Sequence, residues 1–198
     1  MKPETNFAEL IGSRICHDLI SPVGAINNGI ELIQMTAPSL GPEMALISES
    51  VTNASARIRF FRIAFGAAGK QMVGRTEITS ILKDVYANTR LTAVWGPDEA
   101  QPRQRLRLTF LALLCMETGM PYGGRIEVSQ DGDHIIIKGH ADKFKIEETL
   151  WKILDGTQSF DDPLRPAQVQ FGFLPFLAAQ DGFTIDVEAN DERVTIRI

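Results

Sequence analysis

The sequence predicts an α+β protein in two parts. The first is an N-terminal antiparallel helical hairpin that pairs with its copy as a dimeric four-helix bundle, and the second is an α/β sandwich. Three observations carry this. Two long apolar lanes at helical spacing flank a cluster of turn residues. The glycine-flanked break Gly66-Ala67-Ala68-Gly69 then interrupts the pattern. Beyond it, short β-rich runs alternate with helical stretches.

Residues 1–68 form the hairpin in this reading. Thr5 or Asn6 caps a helix whose inward lane is Ile11, Ile15, Leu19, Pro22, Ile26, Ile30 and Ile33. Pro22 kinks it, because proline lacks the N–H and its ring crowds the carbonyl four residues back. The run 36–42, with two prolines and a glycine, ends it. A second helix carries Met44, Ile47, Val51, Ala54, Ile58, Phe61 and Phe65, in alternating steps of three and four that make a coiled-coil seam. A lone hairpin leaves one flank of each helix open, and two copies close that flank as a bundle, so a homodimer is expected.

Residues 69–198 form the second part. Helices are expected over 76–89, 102–118, 145–154 and 166–179. Strands are expected over 91–95, 125–129, 134–138, 183–188 and 193–198, with turns at 130–133 and at Asn190-Asp191. Helices laid on an antiparallel sheet give the sandwich.

Composition narrows the function. The chain has 198 residues, 20 Lys+Arg against 25 Asp+Glu and a net charge of −5, which argues against a nucleic-acid footprint. Apolar residues at 44% suit a chain that buries a core. No run of about 18 apolar residues suggests a membrane span, and the first residues carry no apolar signal segment. Two distant cysteines, Cys16 and Cys115, fit no metal or redox pattern, so a reducing cytoplasm is the expected location. His134 and His140 have no further ligands at suitable spacing, so no metal site is expected. Trp95 and Trp151 read as packing residues, and Glu117 as a solvated acid at a helix end.

His17 stands apart. Two residues from both Ile15 and Leu19, it points away from the apolar lane, among Ser13, Arg14, Ile20, Ser21, Gly24 and Asn28. Gly24 costs a helix about 1 kcal/mol relative to alanine, and the lane it belongs to is small enough for another surface to approach closely. A neutral imidazole is a good nucleophile near neutral pH and a labile phosphoryl carrier. Cys16 projects about 100° away from it and does not activate it.

The run His17-Asp18-Leu19-Ile20-Ser21-Pro22 resembles the H-box of histidine-kinase dimerisation domains. The resemblance implies that His17 is phosphorylated on a ring nitrogen, that Asp18 orients the ring and that Pro22 bends the helix beside it. Position 21 is where relatives that also dephosphorylate their receiver carry a polar residue, here Ser21. Residues 111–128, with Pro121, Gly123-Gly124 and Ile126-x-Val128, resemble the ATP-binding helix and following strand of the same kinases, and 169–183 resembles their last helix. The nucleotide-binding parts depart from the pattern. Cys115 stands at the position of the family's magnesium-binding asparagine, the segment around Asp142 lacks the family's glycines, and only Gly172, between Phe171 and Phe173, remains of a later glycine cluster. Such glycines let backbone N–H groups reach phosphates.

An intact H-box with an eroded ATPase-like domain resembles the ChpT-type histidine phosphotransferases of alphaproteobacterial phosphorelays. The resemblance implies that His17 takes a phosphoryl group from one receiver domain, that of a hybrid histidine kinase, and passes it to the receivers of response regulators. It implies no cofactor on this chain, Mg2+ on the receiver and no ATP chemistry. The receiver-docking surface would comprise Ile20 and Val23 as apolar anchors, Arg14 as a rim charge, and Ser13, Ser21, Gly24, Asn27 and Asn28. Arg57, Arg59 and Arg62 either meet the receiver's acidic pocket or form a solvated face. The competing readings are an ATP-dependent kinase with a divergent pocket and a non-catalytic adaptor that binds a receiver.

Overall fold

The computed structural model describes residues 14, 15, 18, 19, 22–26, 28, 29, 32, 41–66, 71–158, 164–190 and 193–198. The described residues between 14 and 32 are all helical. They are followed by α1 (Gly41–Ala64), β1 (Met72–Val73), α2 (Arg75–Tyr86), β2 (Leu91–Trp95) and β3 (Gln101–Pro102). Then come α3 (Arg103–Gly119), β4 (Gly124–Asp131), β5 (His134–His140), α4 (Glu148–Leu154), a 3-10 turn (Pro166–Gln168), α5 (Val169–Asp181), β6 (Asp186–Ala189) and β7 (Val194–Arg197).

The fold is mixed α+β, and its main sheet is mixed rather than antiparallel. Strand order is β2-β4-β5-β7-β6, and β2 runs parallel to β4, with Leu91 opposite Gly124 and Trp95 opposite Val128. The parallel pair follows from α3, the crossover helix that carries the chain from the end of β2 back to the start of β4. A two-residue ladder, β1 with β3, was not expected, because a pair this short leaves no alternating pattern to read. Helix 145–154 starts later, at Glu148, because the Lys145 N–H is spent on the Gly119 carbonyl and ties that stretch to the end of α3.

One face of the sheet is apolar. Ile126, Val128, Ile135, Ile137, Val194 and Ile196 point inward, in alternation with Arg125, Glu127, Lys138 and Thr195. α3 packs on that face against β5 and β7 and also meets α5. It is buried nearly all round, from Leu106 to Met116, as expected of a central helix. α2 buries Ile78, Ile81, Leu82, Val85 and Tyr86, the spacing of a one-faced helix, and packs on β2 and α1. The turn from α3 into β4 needs glycine twice. Gly123 and Gly124 have φ of +107° and +139°, and a Cβ on them would lie 2.6 Å from the Arg90 carbonyl oxygen and 2.4 Å from that of His140.

α1 has two apolar faces. Ala56, Phe60, Ile63 and Ala64 are buried, and α1 packs against both α2 and α3. This second face was not read from the sequence, because it is out of phase with the Met44–Val51–Ile58 seam. The seam itself faces outward, with Met44 48%, Val51 46% and Ile58 52% exposed. Phe61, expected in the seam, is buried instead.

Candidate functional site

The described helical residues between 14 and 32 carry the described part of the candidate site. Ile15 packs against the core, so the helix is anchored along one side. Val23 and Asn28 are exposed, and nothing lies within 4 Å of where a Gly24 Cβ would be, so this lane is open to an approaching surface. Pro22 is itself helical, with described helical residues on both sides of it. Ser13, His17, Ile20, Ser21 and Asn27 lie outside the described residues.

Arg14 and Asp18 do not form part of an exposed rim. Their side chains are only 12% and 14% exposed and form an ion pair at 2.8 Å, one helical turn apart. Arg14 also donates to the Ala167 carbonyl oxygen at 3.3 Å. Its guanidinium and Glu117 line a common cleft of about 350 Å3 with Lys145, Glu147 and Arg165. Arg14 therefore ties the acid beside His17 to the 3-10 turn ahead of α5.

Glu117, expected to be solvated, is 14% exposed and is the hub of a second cluster. The Arg57 guanidinium donates to both of its oxygens, at 3.2 and 3.3 Å, and the Tyr86 hydroxyl donates to Oε1 at 2.8 Å. Burial opposes the charge on Arg57, but Glu117, Tyr86 and Asp18 outweigh it and raise its pKa. Burial, then the Glu117 carboxylate, pushes the Tyr86 hydroxyl well above its ordinary range. Arg59 pairs with Asp84 while its side chain stays 41% exposed, and Arg62 is exposed, so of the three α1 arginines only Arg57 is largely buried. Sequence reasoning missed the cluster because its bonded partners lie 31 and 60 residues apart.

The nucleotide-like positions are not brought together. Cys115 is sealed in the core, where burial pushes its thiol well above the ordinary value. Asp142 lines an open trough with Arg125, Lys138 and His140 on the polar side of the sheet. His140 pairs with Glu127 at 3.3 Å. Gly172 is buried inside α5 rather than in a loop. Phe171 meets Trp151 edge-on at 5.4 Å, and Phe173 stacks on Phe65 at 6.1 Å. Among the described residues, no group of three His, Cys, Asp or Glu side chains is arranged to hold a metal, and no helix is long and apolar enough to cross a membrane.

A half-buried acid, Asp18, on an N-terminal helix beside an α+β sandwich is the arrangement that the comparisons place in the phosphotransferase class. The comparisons narrow the class. The model of the histidine phosphotransferase C-terminal domain matches residues 75–193. The chain is 32% identical to Protein phosphotransferase ChpT of Brucella abortus (strain 2308) over 194 residues, which cover 93% of this chain and 91% of that protein. A solved structure of a bacterial phosphotransferase superimposes with a TM-score of 0.80 at 29% identity, covering 97% of this chain and 95% of the other. The chain belongs to the histidine phosphotransferase family. It is a histidine phosphotransferase of phosphorelay signalling.

Proposed function

We propose that His17 is the phosphoryl carrier and that it relays the group between aspartates of two receiver domains. The observation that carries this reading is the open Val23–Gly24–Asn28 lane, which continues the helix one turn beyond the His–Asp–Leu–x–x–Pro run. A ring nitrogen of neutral His17 attacks the phosphorus of an aspartyl phosphate. The new N–P bond forms as the P–O bond to the carboxylate breaks, and the carboxylate leaves with that electron pair. The reverse displacement loads the second receiver. The chain supplies a positioned nucleophile, and the receiver supplies Mg2+ and the rest of the charge neutralisation.

In this reading the chain functions as a cytoplasmic homodimer, divided into a dimerisation and phosphotransfer hairpin (1–68) and an ATPase-like domain (69–198) that does not use ATP. The outward seam of Met44, Val51 and Ile58 supports the dimer, since a row of apolar side chains at heptad spacing gains from pairing with its copy. The sealed Cys115 and the aromatic packing at Phe171 and Phe173 support the loss of nucleotide binding. Ile20, Val23, Ser13, Ser21, Gly24, Asn27 and Asn28 supply the receiver-docking surface, whereas Arg14 works from inside.

The test is to load the protein from a phosphorylated receiver and locate the phosphate by mass spectrometry. An acid-labile phosphate on His17 is the expected result. Phosphate on another residue, or undiminished loading of His17→Ala, overturns the assignment.

A further inference from the structure

The main sheet is covered on one face only. α3 lies on the apolar face, and α1 packs on the helical layer through α2 and α3, so the polar face looks away from α1. Cross-strand partners share a face, and the register sets Thr92, Arg125 and His140 in one row and Glu127, Lys138 and Thr195 in the next. The open trough that Asp142 lines runs over this face, with a volume of about 1160 Å3. Five cations line it, Arg90, Arg125, Lys138, Lys143 and Arg193, against two acids, Asp142 and Glu188. The lining carries +3 with histidine neutral, in a chain whose net charge is −5. Glu127 pairs with Arg125 at 2.8 Å and with His140 at 3.3 Å, and Glu188 pairs with Arg193 at 3.6 Å. Arg90, Lys138 and Lys143 are exposed and have no acidic partner among the described residues. Lys143 stands over the Tyr122 ring, 5.4 Å from its centroid, and Tyr122 is 57% exposed. A merely solvated face intersperses both signs, whereas here three unpaired cations line one concavity of an acidic protein.

We propose that this trough docks an extended acidic segment of a partner protein, at a site separate from the Val23–Gly24–Asn28 lane. Charge complementarity carries the choice of partner. All five strands contribute to the lining, so the trough crosses four strand spacings, about 19 Å, the reach of about six extended residues. Alternate side chains of such a segment face the same way about 7 Å apart, which lets several carboxylates reach the trough at once. Small-molecule pockets enclose roughly 300–1,000 Å3 and bury most of their ligand, whereas this trough is larger and its cations are exposed. A nucleic acid is a long polyanion and meets the repulsion of the whole acidic chain, whereas a short acidic segment meets the trough alone.

The experiment titrates a fluorescein-labelled octaglutamate peptide with the full chain and reads fluorescence anisotropy. Octaglutamate binds, and binding weakens as ionic strength rises from about 0.01 M to about 0.15 M, where the screening length falls from about 30 Å to about 8 Å. Octaglutamine and octalysine do not bind. The triple variant Arg90→Gln, Lys138→Gln, Lys143→Gln binds about tenfold more weakly, a few-fold for each exposed charge pair, at an unchanged melting temperature. Each single variant weakens binding a few-fold, which keeps the proposal testable should the triple variant fold poorly. Lys83→Gln, which removes a cation from α2 outside the trough, leaves binding unchanged. The receiver KM for phosphoryl transfer stays at its wild-type value in the triple variant. No binding of octaglutamate at low salt, or equal binding by the triple variant, overturns the proposal. Tighter binding of an eight-residue oligothymidylate or of tripolyphosphate assigns the trough to phosphate chemistry and also overturns it. A raised receiver KM in the triple variant merges the trough with the receiver surface and overturns the separate site. A protein that binds octaglutamate through these cations but takes no label from any receiver upholds this site and removes the His17 assignment alone.

Discussion

Phe60 on α1 lies flat against Phe110 on α3, ring centroids 4.6 Å apart and planes within 23°. Both side chains are fully buried. This stack is the apolar centre of the joint between the hairpin part and the sandwich, and it sits beside the Arg57–Glu117 pair one turn earlier on α1. Replacing Phe60 by alanine leaves a void at the joint. The expected cost is about 3–5 kcal/mol, read as a lower urea midpoint with an unchanged slope. A cost below about 1 kcal/mol would show that the joint is not part of the cooperative core.

The proposed homodimer rests on the outward seam of α1. Light scattering of the wild type is expected to give about twice the chain mass of 21.9 kDa. Val51→Glu with Ile58→Glu places like charges at the seam and is expected to give a single chain mass with unchanged circular dichroism. A monomeric wild type contradicts the four-helix bundle.

Gly24 offers a clean probe of the proposed docking lane. A Cβ there meets nothing within 4 Å, so Gly24→Leu fits the fold, and the helix gains close to 1 kcal/mol in propensity. The bulkier side chain is expected to raise the KM for the receiver while the melting temperature holds or rises. Unaltered transfer would move the docking surface elsewhere.

Stability falls on the alkaline side. The Cys115 thiol and the Tyr86 hydroxyl both have folded-state pKa values raised well above their ordinary 9.0 and 10.0. The stability linked to each is therefore fully present below the unfolded value and is lost as pH rises above it. The slope is about 1.4 kcal/mol per pH unit for each group. Urea midpoints measured from pH 8 to 11 are expected to decline from about pH 9, and Cys115→Ala removes the first part of that decline. A flat profile through pH 11 contradicts the burial of both groups as ionisable acids.

Much of the fold was legible because periodicity is local. The α2 lane, the β4–β5 hairpin and the inward isoleucines of the sheet are visible in windows of a few residues. The parallel β2–β4 pair was not, since only the path of α3 decides strand direction. The second face of α1 was hidden because Phe60 and Ile63 fall outside the heptad that Met44, Val51 and Ile58 impose. At the site, the histidine–acid–proline run was visible as a motif. The inward turn of Arg14 and the partners of Glu117 were not, because Ala167, Arg57 and Tyr86 reach them from far along the chain.

The central claim, phosphoryl transfer through His17 from receivers and not from ATP, is tested most directly by label transfer in two arms, with His17→Ala as control. One arm supplies labelled ATP and magnesium alone, and the other adds a hybrid kinase with its receiver domain. The account predicts label on the wild type in the second arm only, and none on His17→Ala. Label from ATP alone, or label that persists in His17→Ala, would contradict it.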